Sequence, residues 1–442
     1  MIRLSDHFTY AKLVKFTIPS ICMLIFTSIY GVVDGFFVSN FVGKLPFAAL
    51  NFIMPFLMLL SCFGFLFGTG GGALIAKTLG EGNKTKANRI FSMLVYISIA
   101  FGVVFGVIGF IFLPDVSKFL GAEGELLSQS VTYGRIVLLT LPMTILQFEF
   151  QCLFPTAEKP KLGLYVTIIA GCTNILLDAL LIVALDLGLE GAAAATAISE
   201  FIGGFLPFIY FSRKNSSLLR LTKTSLDFSA LINTCSNGIS EVMDSVSMSI
   251  VGMLYNVQLL RFAGEDGIAT YGIIMYVNLI FQSIFIGYSV GASPIVSYHY
   301  GAKHFNELKN LLKKSAAIIF TSAIAMFICA QFLAKPLAMI FVSYDENLMN
   351  LTIHAFRIYS FSFLLSGFTL FISAFFTALN DGVTSAIISF LHLLVFETSS
   401  VLILPQIFGV NGIWFAVTIA EIFAVTTSAF LLNRYKNKYR YI

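Results

Sequence analysis

Long apolar stretches separated by short polar stretches make up most of this chain. Gly, Pro and charged residues bound twelve such runs, each close to or above the roughly 20 residues that a helix needs to cross a bilayer. These runs are too long and too continuously apolar for barrel strands, and lipid offers an open sheet no hydrogen-bond partners. The pattern predicts an all-α integral membrane protein with twelve transmembrane helices, over residues 14–41, 47–76, 90–113, 130–155, 162–185, 190–211, 231–260, 267–298, 315–333, 351–378, 384–405 and 410–432.

Composition supports this class and removes others. Of 442 residues, 57% are hydrophobic and 11% are charged, whereas soluble domains carry roughly 25% charged residues. A disordered chain and a disulfide-stapled secreted fold are excluded by the same figures. The near balance of 27 Lys and Arg against 23 Asp and Glu argues against a nucleic-acid partner. Lipid is therefore the expected solvent and a partner of the chain.

The placement of basic residues predicts the orientation. If the amino terminus is cytoplasmic, 21 of the 27 Lys and Arg residues fall on the inner side and 6 on the outer side. This asymmetry fits the positive-inside rule for short loops. Both termini are therefore predicted to face the cytoplasm.

The second half of the chain repeats the first at an offset of 221 to 222 residues. Arg135 aligns with Arg357, Phe154 with Phe376, and Glu200 with Glu421. Each half holds an even number of spans, so the pattern predicts two parallel, pseudo-symmetric six-helix lobes, an arrangement typical of secondary transporters. The predicted domains are an amino-terminal lobe (1–211), a cytoplasmic connector (212–229), a carboxy-terminal lobe (230–433) and a basic cytoplasmic tail (434–442). A duplicated scaffold without a transport role is the alternative.

Eight acidic residues fall well inside the predicted spans, and no Lys or Arg does. Each ionisable residue in the membrane costs at least about 2.5 to 3.5 kcal/mol and is therefore a functional hypothesis. An interior lined by acids favours cations, whether protons, metal ions or organic ammonium compounds. The eight are Asp34, Glu149, Asp178, Glu200, Glu241, Asp244, Glu397 and Glu421.

Four residues form the best-defined candidate site. At a rise of about 1.5 Å per residue, Asp34, Asp178 and Thr196 lie about 15, 12 and 9 Å below the outer surface. Asn174 precedes Asp178 by four residues and shares its helix face. Two carboxylates, an amide oxygen and a hydroxyl suit Na⁺, and two neighbouring carboxylates also suit a proton. The alternative is that these acids only hydrogen-bond helices together.

Four other acids are candidates for a substrate cavity. Glu241 and Asp244 lie three residues apart on one face of the seventh span, and Glu149 lies near mid-membrane. Glu200 is the exact repeat partner of Glu421, which suits shared helix packing as well as it suits transport. The cavity candidates are therefore Glu149, Glu200, Glu241 and Asp244.

Proline and histidine residues add two further expectations. Pro19 lies fifteen residues before Asp34 and removes a backbone hydrogen bond, so it is a candidate hinge or a static kink. His392 lies five residues before Glu397, which does not put the two on one helix face, and is interpreted as a satisfied core histidine. His299 is near a span end and is expected to be solvated.

The chain contains five distinctive short motifs, which are V-D-G-F-F-V (33–38), G-E-G-N-K (80–84), N-I-L-L-D (174–178), G-A-A-A-A-T (191–196) and N-G-I-S-E (237–241). These motifs resemble those of the multidrug and toxic-compound extrusion (MATE) transporters, over essentially the whole chain and most closely in the bacterial multidrug branch. The resemblance implies two lobes that form an outward-opening V and export amphipathic organic cations. In such proteins the residues matching Asp34, Asn174, Asp178 and Thr196 form the amino-lobe cation site. A further acid of the tenth helix, used by one branch, has no counterpart in 353–378.

We therefore expect a monomeric bacterial inner-membrane antiporter that exchanges organic cations for H⁺ or Na⁺ by alternating access, with no cofactor. Enzymatic function is not expected, because the sequence has no H-E-x-x-H motif, and without G-x-x-x-x-G-K-[ST] no direct use of ATP is expected. A flippase of lipid-linked or polar metabolites is the rival. Its anionic cargo would require basic residues at mid-membrane, and the predicted spans offer none.

Overall fold

The structure, a computed structural model, describes residues 2–342 and 345–441 and contains helices but no strand within those ranges. Met1 and Ile442, the outer limits of the predicted lobes and tail, lie outside the described residues. The membrane helices are α1 (Tyr10–Val42), α2 (Lys44–Gly80), α3 (Lys84–Phe119), α4 (Gly124–Leu138 with Leu141–Thr156), α5 (Pro160–Ala184), α6 (Gly188–Ser212), α7 and α8 (the 228–263 and 265–301 parts of Phe228–Gly301), α9 (Phe305–Val342), α10 (Glu346–Ala378), α11 (Gly382–Phe408) and α12 (Val410–Tyr439).

The predicted number of spans is confirmed, although two of them are not simple rods. Ten helices in the described ranges are long and apolar enough to cross a membrane, and the bent pair of α4 adds an eleventh. The 74-residue helix Phe228–Gly301 supplies the twelfth, because Gly264 interrupts it with φ 64° and ψ −155°, a conformation that only glycine adopts easily. An even number of crossings places both termini on one face, called the termini face below.

The fourth and tenth spans both depart from α-helical geometry at corresponding places, which periodicity alone did not reveal. The two segments of α4 meet at 62° just before Pro142. Pro142 has no N–H to donate to the Leu138 carbonyl, and its ring would clash with that group, which accounts for the break. In α10 a 3₁₀ turn, Ser360–Ser362, occupies the position one repeat further on. Both lobes therefore interrupt the α-helix at this place, although only the first has a proline there.

Four π-helical segments interrupt the membrane helices. Each inserts a residue into the normal helical ladder, a distortion that is common at functional sites. Three lie beside the predicted interior acids and one beside the glycine-rich end of α2. The segments are Val38–Val42, Leu66–Gly70, Ala179–Ala184 and Phe390–Glu397.

Close glycine contacts join the two halves of the chain toward the termini face. A Cβ atom added at Gly80 would overlap the Tyr298 carbonyl oxygen, and one added at Gly301 would overlap that of Lys77. These glycines are repeat partners at the ends of α2 and α8. Nearer mid-membrane the Ser28 and Ser283 hydroxyls lie 2.7 Å apart. Small residues permit such close backbone approach between membrane helices.

The segment before α1 also ties the halves together. Leu4 donates its backbone N–H to Glu158 (2.6 Å), and Phe8 donates its own to Glu307 of α9 (2.9 Å). The side chains of Leu4 and Phe8 are fully buried. Phe8 also packs edge-on against His299, which is 2% exposed, so the expectation that His299 is solvated is wrong. The covering segment precedes the first span and gave no hydropathy signal.

Residues 213–227, within the predicted connector, form no helix. This stretch packs along α3: Arg220 donates its backbone N–H to Asn88 (2.7 Å), and Thr222 donates its own to Ser92 (2.8 Å). Leu219 is fully buried in the same core as α3. The connector is therefore attached to the amino-terminal half, and its boundaries stay predictions.

Asp381 caps α11 on the termini face and gives a testable contribution to stability. It accepts hydrogen bonds from the Thr384 N–H (3.3 Å) and the Tyr439 hydroxyl (2.5 Å), with the Lys438 ammonium 3.5 Å away. Burial opposes ionisation, but the bonds from Tyr439 and Thr384 outweigh it and hold the pKa of Asp381 below its ordinary value.

We expect Asp381→Ala to lower stability by about 1 to 2 kcal/mol, the usual effect of losing an N-cap acceptor. Asp381→Asn keeps a capping oxygen and should lose less. Because the folded-state pKa is depressed, the ionic part of the stabilisation is present above the ordinary carboxyl value and disappears as the pH falls through the folded value. Thermal unfolding in detergent measures this, and equal melting temperatures for wild type and Asp381→Ala would contradict it.

Candidate functional site

The predicted quartet assembles in the amino-terminal half. Asp34 lies on α1, one turn before the π-helical segment Val38–Val42, and is 7% exposed. Its carboxyl group faces the side chains of Thr196, Asn174 and Asp178. The Thr196 hydroxyl donates to Asp34 Oδ1 at 3.5 Å. The structure therefore brings all four residues together, as depth and helix periodicity predicted.

The acceptors of Asp178 and Asn174 in this cluster are left unsatisfied. Asp178 is 0% exposed and Asn174 is 2% exposed. Both carboxylate oxygens of Asp178 and the amide oxygen of Asn174 lack hydrogen-bond partners among the described residues. Two ionised carboxylates can only accept hydrogen bonds, so Asp34 and Asp178 can bond to each other only when one carries a proton. A proton or a small cation would satisfy these oxygens, and an unpaired buried acid pair is otherwise costly.

Two π-helical segments adjoin the acid pair. Val38–Val42 follows Asp34, and Ala179–Ala184 begins directly after Asp178. The two segments pack against each other. Both membrane helices end on these segments, so each acid lies on the last α-helical turn or turns before a π-helical end.

Sequence reasoning missed two tyrosines beside this cluster. Tyr133 of α4 is 0% exposed and faces both Asp34 and Thr196, yet its hydroxyl has no hydrogen-bond partner in the described chain. Tyr30 lies one helical turn before Asp34 and accepts a hydrogen bond from Gln147 (3.4 Å). The four-residue spacing from Asp34 was a usable signal for Tyr30. Tyr133 lies on a different helix and gave none.

Glu200 lies beside the same cluster. It accepts a hydrogen bond from the Thr144 hydroxyl at 2.6 Å and faces Tyr30 and Asp34. With Tyr133 and Thr196 it lines a cavity of about 20 Å³, enough for about one water molecule. This candidate for the substrate cavity therefore belongs to the surroundings of the amino-lobe acids, where the space admits water and not a drug-sized molecule.

Glu149 does not face open space in this conformation, contrary to its interpretation as a cavity acid. It is 0% exposed, and neither carboxylate oxygen has a hydrogen-bond partner in the described residues. Ser98 of α3 is its polar neighbour, and its backbone packs against Gly68 of α2. The tight helix packing that Gly68 allows encloses the acid. Sequence spacing showed its depth and not which way the helix faced.

Glu241 and Asp244 lie where the two halves meet. Both are partly buried on α7. Glu241 faces Thr69 of α2, whereas Asp244 faces Ser389 and His392 of α11. The pair therefore connects the amino-terminal half with the interior of the carboxy-terminal half. Its two negative charges face the contact between the two halves, called the seam below, and not lipid.

Pro19 lies inside α1 without ending it, since the helix continues unbroken from Tyr10 to Phe37. Its neighbour Ser20 contacts Gly287 of α8 closely, and Thr17 packs on Gly291. Pro19 is thus at the contact between the two halves. Its role as a hinge stays a prediction.

The cluster suits a proton or an alkali-metal ion better than a transition metal. No group of three or more His, Cys, Asp or Glu side chains that could hold a metal ion occurs in residues 2–342 and 345–441. Na⁺ takes amide and hydroxyl oxygens as readily as carboxylates, and Asn174 and Thr196 supply these. Asp34 and Asp178 are also close enough to share one proton.

Fold and site together define a polytopic helical membrane protein built from two repeats, with a pair of acids, Asp34 and Asp178, buried in the first. A family model described as MatE matches residues 19–180 and 242–400, once in each half. The chain belongs to this family of multidrug efflux transporters.

Individual relatives cover almost the whole chain. The multidrug export protein MepA of Staphylococcus haemolyticus is 27% identical over 433 residues, which cover 97% of this chain and 94% of that protein. MepA of Staphylococcus saprophyticus is 25% identical, covering 93% and 91%. A MATE transporter solved in an outward-facing conformation has a TM-score of 0.93 at 20% identity, covering 99% and 98%. A MOP-superfamily transporter from Pyrococcus furiosus gives 0.90 at 21%, covering 97% and 96%.

Proposed function

We propose that the protein is a secondary antiporter that exports amphipathic organic cations in exchange for H⁺ or Na⁺. The observation that carries this proposal is the Asp34–Asp178 pair, buried face to face, in which neither carboxylate oxygen of Asp178 has a described hydrogen-bond partner. The names of the staphylococcal relatives, multidrug export proteins, support the substrate class.

An ion drives a conformational change only through a difference in affinity between the two states. Asp34 and Asp178 lie on α1 and α5, and the π-helical segments that follow them pack together. A cation between the carboxylates favours this packing, whereas an empty, doubly ionised pair repels itself and favours a different arrangement of α1. Because α1 also contacts α8 across the seam, the ion on the acid pair biases the relative position of the two halves.

Glu241 and Asp244 are the proposed contacts for the positive charge of the substrate. They lie on α7 at the seam, within the predicted carboxy-terminal lobe. We place the protein in a bacterial inner membrane as a monomer, with both termini cytoplasmic, no cofactor and no nucleic-acid partner. The termini face is then the inner face, and the glycine contacts there close the inner side of the seam.

Transport by the full-length chain in proteoliposomes tests this function. A fluorescent quaternary ammonium compound is the probe, with an outward-directed flux measured under an imposed proton gradient, an imposed sodium gradient, or neither. We expect one gradient to raise the flux severalfold, and this also identifies the coupling ion. A neutral isostere of the probe is the matched control and should not respond. Equal flux in all three conditions would contradict the proposal, and gradient-independent movement of an anionic lipid would favour the flippase.

A further inference from the structure

His392 and Glu421 form a buried pair in the carboxy-terminal half. His392 lies on the π-helical segment Phe390–Glu397 of α11, and its Nε2 is 3.1 Å from Glu421 Oε1 on α12. The side chains are 13% and 3% exposed. The other oxygen of Glu421 accepts a hydrogen bond from the Thr369 hydroxyl at 2.8 Å. The expected satisfied core histidine is therefore bonded to an acid of another helix, and not to Glu397.

Glu397 is the second acid of this cluster. It is 9% exposed, and the Tyr255 hydroxyl of α7 points toward it. Tyr255 is 1% exposed and makes no hydrogen bond of normal length within the described residues. Tyr271 of α8 and Tyr359 of α10 face the same carboxyl group. A buried, unsatisfied hydroxyl is thus aimed into the cluster, whose titratable groups come from five helices.

The cluster occupies the repeat position of the amino-lobe site. Thr144 donates to Glu200 in the first half, and Thr369 donates to Glu421 in the second. Glu200 and Glu421 are 221 residues apart, and Asp34 and Tyr255 are separated by the same offset. Thr369 lies 225 residues after Thr144, about one helical turn away from the exact repeat position. The second half therefore keeps a threonine–glutamate bond, but it has a tyrosine where the first half has Asp34.

The two sites differ in how their negative charge is balanced. The described neighbours of Asp34 are an acid, an amide and a hydroxyl, so the amino-lobe acids require a cation from solution. In the carboxy-terminal half the imidazole of His392 lies among Glu421, Glu397 and Asp244. A protonated imidazole balances one of these acids, and imidazole is the side chain that changes charge between about pH 5 and 8. The cation of this site is then a proton on a histidine.

Asp244 provides the connection from this pair to the seam. It faces His392 from α7, and Glu241, one turn earlier, faces α2 of the other half. Both acids are partly exposed, whereas Glu421 and Glu397 are enclosed. Asp244 therefore lies between His392 and the seam, on the route of a proton that leaves His392.

We propose that His392, Glu421 and Glu397 form a second proton-binding site, and that a proton on His392 and an organic cation beside Asp244 exclude one another. This inference rests on the proposed function. When the organic cation arrives, the imidazolium loses one proton and becomes neutral imidazole; Asp244 accepts that proton and passes it to water in the seam. No other bond changes. Without the proton, Asp244 is free to balance the charge of the organic cation.

Proton release on binding tests the proposal. Tetraphenylphosphonium is titrated into the purified full-length protein in weakly buffered detergent with a pH-indicator dye. We expect wild type to release protons when it binds the compound. In His392→Gln the proton that His392 contributes should be missing. Total release should then fall by about half if the amino-lobe acids also release a proton, and entirely if they bind Na⁺. The double variant Asp34→Asn/Asp178→Asn should still release the proton that comes from His392. Unchanged release from His392→Gln would overturn the proposal.

A direct measurement on the imidazole separates this inference from the proposed function. The chain has five histidines, so ¹³C-labelled histidine gives five signals, and the His392→Gln variant assigns one of them. We expect the His392 signal to shift between pH 5 and 9 without any substrate, and to shift again when tetraphenylphosphonium is added. His354, exposed and hydrogen-bonded to Asn411 (2.9 Å), is the internal control for the substrate response.

The outcomes are distinct. A His392 signal that stays constant with pH and substrate overturns the second proton site, even if an ion gradient drives transport. Failure of every gradient to drive transport, with a titrating His392, removes the proposed function and leaves a proton-binding site. Glu421→Gln provides a second variant, because the amide keeps the bond from Thr369 but not the charge. We expect it to shift the pH midpoint of the His392 signal.

Discussion

Asp34→Asn is expected to abolish transport driven by an ion gradient while leaving the protein folded. Asparagine has the size of aspartate and still accepts a hydrogen bond from Thr196, but it neither binds a proton in the physiological range nor balances a cation. Each 1.4 kcal/mol of lost interaction with the ion weakens its binding about tenfold, so we expect gradient-driven flux to fall at least about tenfold. Asp178→Asn should have the same effect, because the two carboxylates act as one site.

The measurement is gradient-driven export in proteoliposomes containing equal amounts of each variant. Asp186→Asn is the matched control, since Asp186 follows Asp178 by eight residues, in the connection from α5 to α6, and is exposed. Its φ of 51° also suits asparagine. We expect this control to transport like wild type. Full gradient-driven export by Asp34→Asn would show that the buried acid pair does not couple the ion.

Gly80→Ala and Gly301→Ala are expected to prevent closure of the termini face. A Cβ atom at either position would overlap a backbone carbonyl oxygen of the helix across the seam, and backbone cannot rotate away as a flexible side chain can. Overpacking of this kind costs about 1 to 3 kcal/mol. The cost falls on the closed arrangement, and so the change should lower transport and favour the arrangement with an open seam.

Thiol labelling reports on this opening. Cys235 of α7 is partly buried against the core of the amino-terminal half. In a chain whose other five cysteines are replaced by serine, we expect Gly80→Ala to speed labelling of Cys235 severalfold from the termini face. Gly252→Ala is the control, because an added Cβ atom there meets nothing within 4 Å. Identical labelling and transport in Gly80→Ala and Gly252→Ala would rule out a tight glycine contact at the seam.

The sequence was sufficient to predict the amino-lobe cluster because its determinants are short-range. Depth along each helix follows from counting residues, and the placement of Asn174 beside Asp178 follows from helical periodicity. Since membrane spans lie side by side, residues at one depth on neighbouring helices are natural contact partners. Asp34, Asp178 and Thr196 lie at similar depths on the neighbouring helices α1, α5 and α6.

Other features depend on helix rotation and on contacts between distant segments, which counting does not supply. Glu149 has the depth of a cavity acid, yet the close packing at Gly68 turns it into the core. His392 and Glu397 share a π-helical segment, whose altered periodicity directs His392 to Glu421 on the next helix. His299 is covered by a segment that precedes the first span. None of these three outcomes has a local signature in the sequence.

Competition between ions and substrate on the purified protein tests the central claim most directly. The binding of a fluorescent quaternary ammonium compound is measured across Na⁺ concentration and across pH, for wild type and for Asp34→Asn/Asp178→Asn. We predict that the coupling ion weakens binding to wild type and that most of this competition disappears in the double variant. Competition of equal strength in both proteins would mean that the ion acts elsewhere, and the account of the buried acid pair would be wrong.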